Sequence, residues 1–153
     1  MNLYLVRHAE ARLGGSDVER GLTEKGLADI EKTARFAAGA GVKAARILHS
    51  GKTRARETAE VMGRHLRPAG GVHAADMLSP SDDPWVWATR VADMEEDLML
   101  VGHLPYMECL VSLLVAGETD TRVVDFGTGS IVFLRREEGV WSIGWMATPE
   151  ALR

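Results

Sequence analysis

Three short apolar runs, "LYLV" at 3–6, "ARIL" at 45–48 and "LMLV" at 98–101, constrain this chain more than any other feature. A strand buried on both faces reads as a continuous hydrophobic run, and such strands belong to parallel sheets covered by helices. The segments between the runs have helical spacing. A first helix is predicted from the capping hydroxyl of Thr23 through Leu27, Ile30, Ala34 and Phe36, until "AGAG" at 38–41 stops it, with Gly26 weakening its first turn. A second is predicted from about Lys52 to Leu66 on a stripe of Ala55, Ala59, Met62 and Leu66, with Pro68 and Gly70–Gly71 behind it. A third follows Pro84 through Trp85, Ala88, Val91 and Ala92, and a fourth follows Pro105 through Leu110, Leu113 and Leu114. The stretch "GSIVFLRREEGVWSIGWM" reads as two strands in a hairpin turning at Glu137–Gly139. The expected fold class is α/β: one three-layer α/β/α domain, its central sheet mostly parallel with antiparallel strands near the C-terminus.

Composition narrows the function classes. At 153 residues, 46% hydrophobic and 26% charged, the chain suits one domain over 1–153, and no repeat or linker divides it. The net charge of −4 supplies no global basic field for a nucleic-acid backbone, so any anion site must be local. Cys109 stands alone, which rules out an intramolecular disulfide and a four-cysteine zinc site. No run approaches the ~20 apolar residues that span a bilayer, and no secretory leader is evident, so a soluble cytoplasmic protein without membrane attachment is expected.

In open α/β sheets the ligand crevice lies beyond the carboxyl ends of the strands. Here the three runs are followed by Arg7–His8, His49–Ser50 and Gly102–His103, which places three of the five histidines at that edge. A guanidinium at the end of a buried strand needs a counter-charge, because burying it alone is costly. Glu10 is one candidate partner for Arg7; a ligand phosphate is the other. In the second case the planar fork of Arg7 would hold two phosphate oxygens while neutral His8 attacks phosphorus in line. Arg54 falls in the first turn of the second predicted helix, where free N–H groups and the helix dipole favour an anion. Arg56 reads more simply as a solvated residue paired with Glu57 or Glu60. His103, between Gly102 and Pro105, would hang into the crevice and donate to phosphoryl oxygens as charge builds on them. His49 has a packing role as readily as a site role, and His65 and His73 read as surface or packing residues. The run "GKT" at 51–53 is not a P-loop, which needs a glycine where Arg46 stands. No HExxH is present for a zinc hydrolase, and neighbouring arginines would repel a cation.

Taken in order, "RHAEA" at 7–11, "LTEKG" at 22–26, "SGKTRARET" at 50–58 and "GHLP" at 102–105 resemble the histidine phosphatase superfamily, over nearly the whole chain. Within it, the short length without a large cap insertion is similar to the SixA-type phosphohistidine phosphatases. The resemblance implies a phosphoglycerate mutase-like fold and a metal- and cofactor-free phosphatase. It implies that His8 is transiently phosphorylated while Arg7, Arg54 and His103 hold the phosphoryl oxygens, with Glu10 a further substrate-binding candidate. The implied partner is a phosphorylated protein, such as a histidine phosphotransfer domain in signalling, or a small phosphorylated molecule. Ala9 replaces the family's usual glycine after Arg-His. In "ADMLSPSDD" at 75–83, where many phosphomonoesterases of the family place a glutamate general acid, the nearest position is Met77, with Asp76, Asp82 and Asp83 as possible substitutes. An alkoxide leaving group needs such an acid, worth ~10²–10⁴-fold, whereas imidazole leaving from a P–N bond does not. The expectation is therefore a protein phosphohistidine phosphatase. The alternatives are a small-molecule phosphomonoesterase using the same residues and a phosphate-binding module without turnover.

Overall fold

In the computed structural model, which describes residues 1–153, the three apolar runs become neighbouring parallel strands. Strands β1 (Asn2–Arg7), β2 (Arg46–His49), β3 (Val72–Ala74) and β4 (Leu98–Gly102) run in one direction, and β5 (Ile131–Glu137) with β6 (Val140–Ala147) forms the expected hairpin. The six-stranded order is β3-β2-β4-β1-β5-β6, with β5 antiparallel to β1. Each ladder reaches one residue past its apolar run: Arg7 pairs in register with Gly102, and His49 with Val101. The polar residues at the strand ends are thus held by the sheet itself.

Alternation along β1 distributes its side chains to two cores. Tyr4 and Val6 join Ile47, Met99 and Val101 under helices α1 (Glu24–Gly39) and α2 (Thr53–Leu66). Leu3 and Leu5 join Leu48, Leu98 and Leu100 under α3 (Pro84–Ala92) and α4 (Tyr106–Ala116). Each large aliphatic so buried contributes ~1.5–3 kcal/mol, which makes the central strands the rigid platform of the molecule.

The helices begin where their capping residues dictate. Thr23 Oγ1 accepts the Gly26 N–H at 2.9 Å, and Asp83 Oδ1 accepts the Trp85 N–H at 3.0 Å with Pro84 in the first helical position. Two details differ from expectation. Gly26 is more than a tolerated weak point: a Cβ there would lie 2.2 Å from the Glu10 carbonyl oxygen, so glycine is what lets α1 pack against the chain leaving β1. Trp85 does not line the buried face of α3 but is 55% exposed, and Trp87 takes its place, its Nε1 donating to the Asp76 carbonyl at 2.9 Å. The inward face of α3 is Trp87, Ala88 and Val91, rotated from the stripe through Trp85, and from that face the Trp87 indole N–H finds its acceptor outside the helix. No helix is long and apolar enough to cross a membrane.

Candidate active site

The chain leaves β1 toward one flank of the sheet through β2 and β3 and returns on the other through β5 and β6, so the C-terminal edge of β1 and β4 is a switch point of the topology. Arg7, His8 and His103 meet there. The His8 N–H donates to the Gly102 carbonyl at 2.9 Å, and the two imidazole rings stand 5.1 Å apart between centroids. From the other side, Thr58 Oγ1 accepts the Ala9 N–H at 3.0 Å and donates to the Arg54 carbonyl at 2.7 Å, which ties the first turn of α2 to the residue after His8.

His8 Nδ1 lies 2.7 Å from the Ala9 carbonyl oxygen. A carbonyl only accepts, so Nδ1 carries the proton and Nε2 keeps its lone pair. Burial pushes the His8 pKa down to about 4; the Ala9 carbonyl opposes this, while Arg54 and Arg7 reinforce it. Near neutral pH the ring is therefore an uncharged base with its nucleophilic nitrogen bare.

Arg7 donates through Nη1 to the Phe126 carbonyl at 2.8 Å, while its buried Nε has no partner. Glu10 does not pair with it. The Glu10 carboxylate accepts the Thr23 hydroxyl at 2.8 Å, and its carbonyl accepts the Thr23 N–H at 3.0 Å, fastening the loop after β1 to the cap of α1. Arg7 is thus a half-buried cation with no carboxylate bonded to it, an arrangement that favours an incoming anion.

Arg54 is buried and differently accompanied. Its Nη1 donates to the Asp17 carbonyl at 2.6 Å and its Nη2 to Asp17 Oδ1 at 3.2 Å. The exposed Asp17 carboxylate also bonds Lys52 and Arg20, and these two hydrogen bonds, Lys52 first, hold its pKa well below the usual carboxylate range.

His103, 1% exposed, lies with Nε2 2.6 Å from Ser50 Oγ, and its buried Nδ1 has no partner. Burial, then the neighbouring His8, lowers its pKa to about 3. Facing elements thus supply one bare imidazole nitrogen, two guanidinium groups and an unpartnered imidazole nitrogen, a set suited to an anion carrying an electrophilic centre.

The other candidates are occupied elsewhere. His49 is buried and accepts the Gly51 N–H on Nδ1 at 3.1 Å, a turn-forming role. Arg56 pairs with Glu60 at 2.8 Å, His65 with Glu31 at 2.7 Å, and His73 with the Gly70 carbonyl at 2.8 Å. Asp76 is bound by Arg90, Asp82 accepts the Ser79 N–H at 2.9 Å, and Asp83 caps α3. Met77 takes a left-handed φ of 59° and packs against the core under α3 and α4. The next residue, Leu78, is buried in the same core, its carbonyl packed near Gly102 at the end of β4. No cluster of three histidine, cysteine or carboxylate side chains able to hold a metal ion is present.

Sequence reasoning missed Asp17, Lys52, Ser50 and Thr58 as participants. Ser50 and Thr58 lay inside the quoted "SGKTRARET" and followed from it once His103 was placed opposite. Asp17 sits 37 residues from Arg54, and no spacing rule joins them.

Comparison with known proteins gives a consistent picture. The sequence profile of the histidine phosphatase superfamily (branch 1) matches residues 3–78. The phosphohistidine phosphatase SixA of Escherichia coli (strain K12) is 26% identical over 154 residues, covering 97% of this chain and 94% of the relative. The structure of the protein histidine phosphatase SixA complexed with tungstate superposes with a TM-score of 0.90 at 27% identity, covering 100% of both chains. The mitochondrial serine/threonine-protein phosphatase PGAM5 of Homo sapiens is 38% identical over 66 residues, which are 42% of this chain and 23% of that protein.

Proposed function

The chain belongs to the histidine phosphatase superfamily, and from that premise we propose that it removes phosphoryl groups from histidine side chains of a phosphorylated protein, through a covalent intermediate on His8. His8 Nε2 forms a bond to phosphorus as the P–N bond to the substrate imidazole breaks, and the departing imidazole takes a proton from water. Arg7 and Arg54 neutralise the phosphoryl oxygens, and His103 donates to them as their charge rises. A water molecule then attacks phosphohistidine 8, the new P–N bond breaks, and orthophosphate leaves with His8 again neutral. The depressed pKa of His8 keeps the ring ready for the next attack.

One observation carries the choice of P–N bonds over esters: the segment that would carry a general acid contributes Met77, while Asp76, Asp82, Asp83 and Glu10 are each bonded elsewhere. Without an acid, ester hydrolysis forgoes ~10²–10⁴-fold of rate, whereas a phosphohistidine leaving group loses much less. The likeness to SixA over the full chain supports the same substrate class, and a signalling phosphotransfer domain is the proposed partner. The test is kcat/KM on a phosphohistidine-bearing phosphotransfer domain, a phosphoaspartyl protein and a set of sugar and aryl phosphates. The expected order puts phosphohistidine first by at least tenfold. Brisk hydrolysis of sugar phosphates with phosphohistidine untouched would overturn the reading.

A further inference from the structure

Ser50 has no role in the reaction as described, yet its hydroxyl makes the shortest polar contact to His103. Its oxygen lies 2.6 Å from His103 Nε2 and 3.3 Å from the backbone nitrogen of Lys52. The Lys52 N–H can only donate, so it occupies one of the two lone pairs of the hydroxyl, and the hydroxyl hydrogen remains available to the imidazole. With that hydrogen given to the ring, His103 Nε2 would accept and the ring proton would reside on Nδ1, the buried atom that has no partner in the protein.

We propose that Ser50 is a positioning residue that locks His103 in its Nδ1–H tautomer, so that this N–H is the donor offered to the phosphoryl oxygen. The proposal rests on the phosphatase reading above and assigns an atom within it. The two rings of the crevice are held in complementary states by opposite partners. A carbonyl acceptor, Ala9, fixes the His8 proton on Nδ1 and bares Nε2 for attack; a hydroxyl donor, Ser50, fixes the His103 proton on Nδ1 and aims it at the group being transferred. With the other tautomer, a bare Nδ1 lone pair of His103 would face phosphoryl oxygens and repel them. An orienting group that sets a histidine tautomer without touching substrate is a known source of rate.

The full chain labelled with ¹⁵N-histidine reports both rings directly, His103 being assigned by the resonance that His103→Asn removes. At neutral pH the wild type is expected to show a protonated Nδ1 and an unprotonated, hydrogen-bonded Nε2 on His103. Ser50→Ala is expected to release the ring toward a tautomer mixture, lower kcat on phosphohistidine by roughly 10–100-fold with a smaller change in KM, and weaken inhibition by vanadate. Ser50→Thr, which retains the hydroxyl, is expected to restore the tautomer and most of the rate. The proposal is overturned if His103 carries its proton on Nε2 in the wild type, or if Ser50→Ala leaves tautomer and kcat unchanged. Active wild-type protein with the Nε2–H tautomer would sink the tautomer assignment alone. A Ser50-dependent Nδ1–H in a protein that turns over no phosphorylated substrate would uphold the assignment and sink the phosphatase reading.

Discussion

Arg7 and Arg54 bring the same charge to the same crevice in different company. Arg7 extends the ladder of β1, its guanidinium anchored only by the Phe126 carbonyl, with an unpartnered Nε and no carboxylate bonded to it. Arg54 stands in the first turn of α2 with Asp17 already on both terminal nitrogens, and Asp17 in turn gathers Lys52 and Arg20. One arginine is a cation awaiting an anion. The other has a resident carboxylate, carried on an exposed loop, with which, under the proposed function, an incoming phosphoryl group would share or compete. Half of the clamp is thus preset by the sheet, and half depends on where a surface loop holds one side chain.

The largest effects should come from removing each arginine, and their rescue should separate them. Arg7→Ala and Arg54→Ala are each expected to lower kcat/KM on phosphohistidine by ~10²–10³-fold, as for loss of a donor that stabilises developing charge. Arg54→Ala also leaves Asp17 beside the phosphoryl site with one cation fewer. Adding Asp17→Ala should therefore recover about two- to fivefold in the Arg54→Ala background and nothing in the Arg7→Ala background. Equal rescue in both backgrounds would break the distinction between the arginines.

A second test uses His8 as a local probe. Its pKa, lowered to about 4 chiefly by burial, is held down by both cations, with Arg54 the stronger influence of the two. A ¹⁵N or ¹H titration of His8 should show a neutral ring until the pH nears 4, and its pKa should rise in both variants, more in Arg54→Ala than in Arg7→Ala. The same shift sets a stability window. In the unfolded chain a histidine takes up its proton near pH 6.5, above the folded value, so the unfolded state binds more protons between these limits. Stability is therefore complete above about pH 6.5 and falls as the pH drops toward 4. Urea midpoints across that range should fall less steeply in His8→Ala. A steeper fall in His8→Ala than in wild type would contradict this assignment.

The two arginines also mark how far the sequence could be read. Arg7, His8 and His103 follow continuous apolar runs, and a parallel ladder places such neighbours at one edge without knowledge of any loop. Arg54 was legible through its place in a helical first turn. What those signals lacked was contact between segments far apart in sequence with no shared period. The meeting of Asp17 with Arg54 depends on how residues 12–21 fold over the surface, and the need for glycine at 26 depends on the backbone of Glu10 passing close by. The face of α3 differs for a related reason: periodicity allows Trp85 or Trp87 inside, and the buried Trp87 makes its hydrogen bond to Asp76, a partner outside the helix.

The smallest effect is the most discriminating about what Asp17 does. Its carboxylate is exposed, so solvent and salt screen its influence, and a change of a few fold is the expected scale. If Asp17 competes with the phosphoryl group for Arg54 and Lys52, Asp17→Asn should tighten inhibition by inorganic phosphate about two- to fivefold, and the gain should shrink as salt is raised. The backbone carbonyl that holds Arg54 Nη1 is untouched by this substitution, so the guanidinium keeps one of its two anchors. If the carboxylate instead serves to orient Arg54, the same substitution should weaken phosphate inhibition and lower kcat together. The sign of the change in the phosphate inhibition constant therefore decides whether the loop obstructs the clamp or completes it.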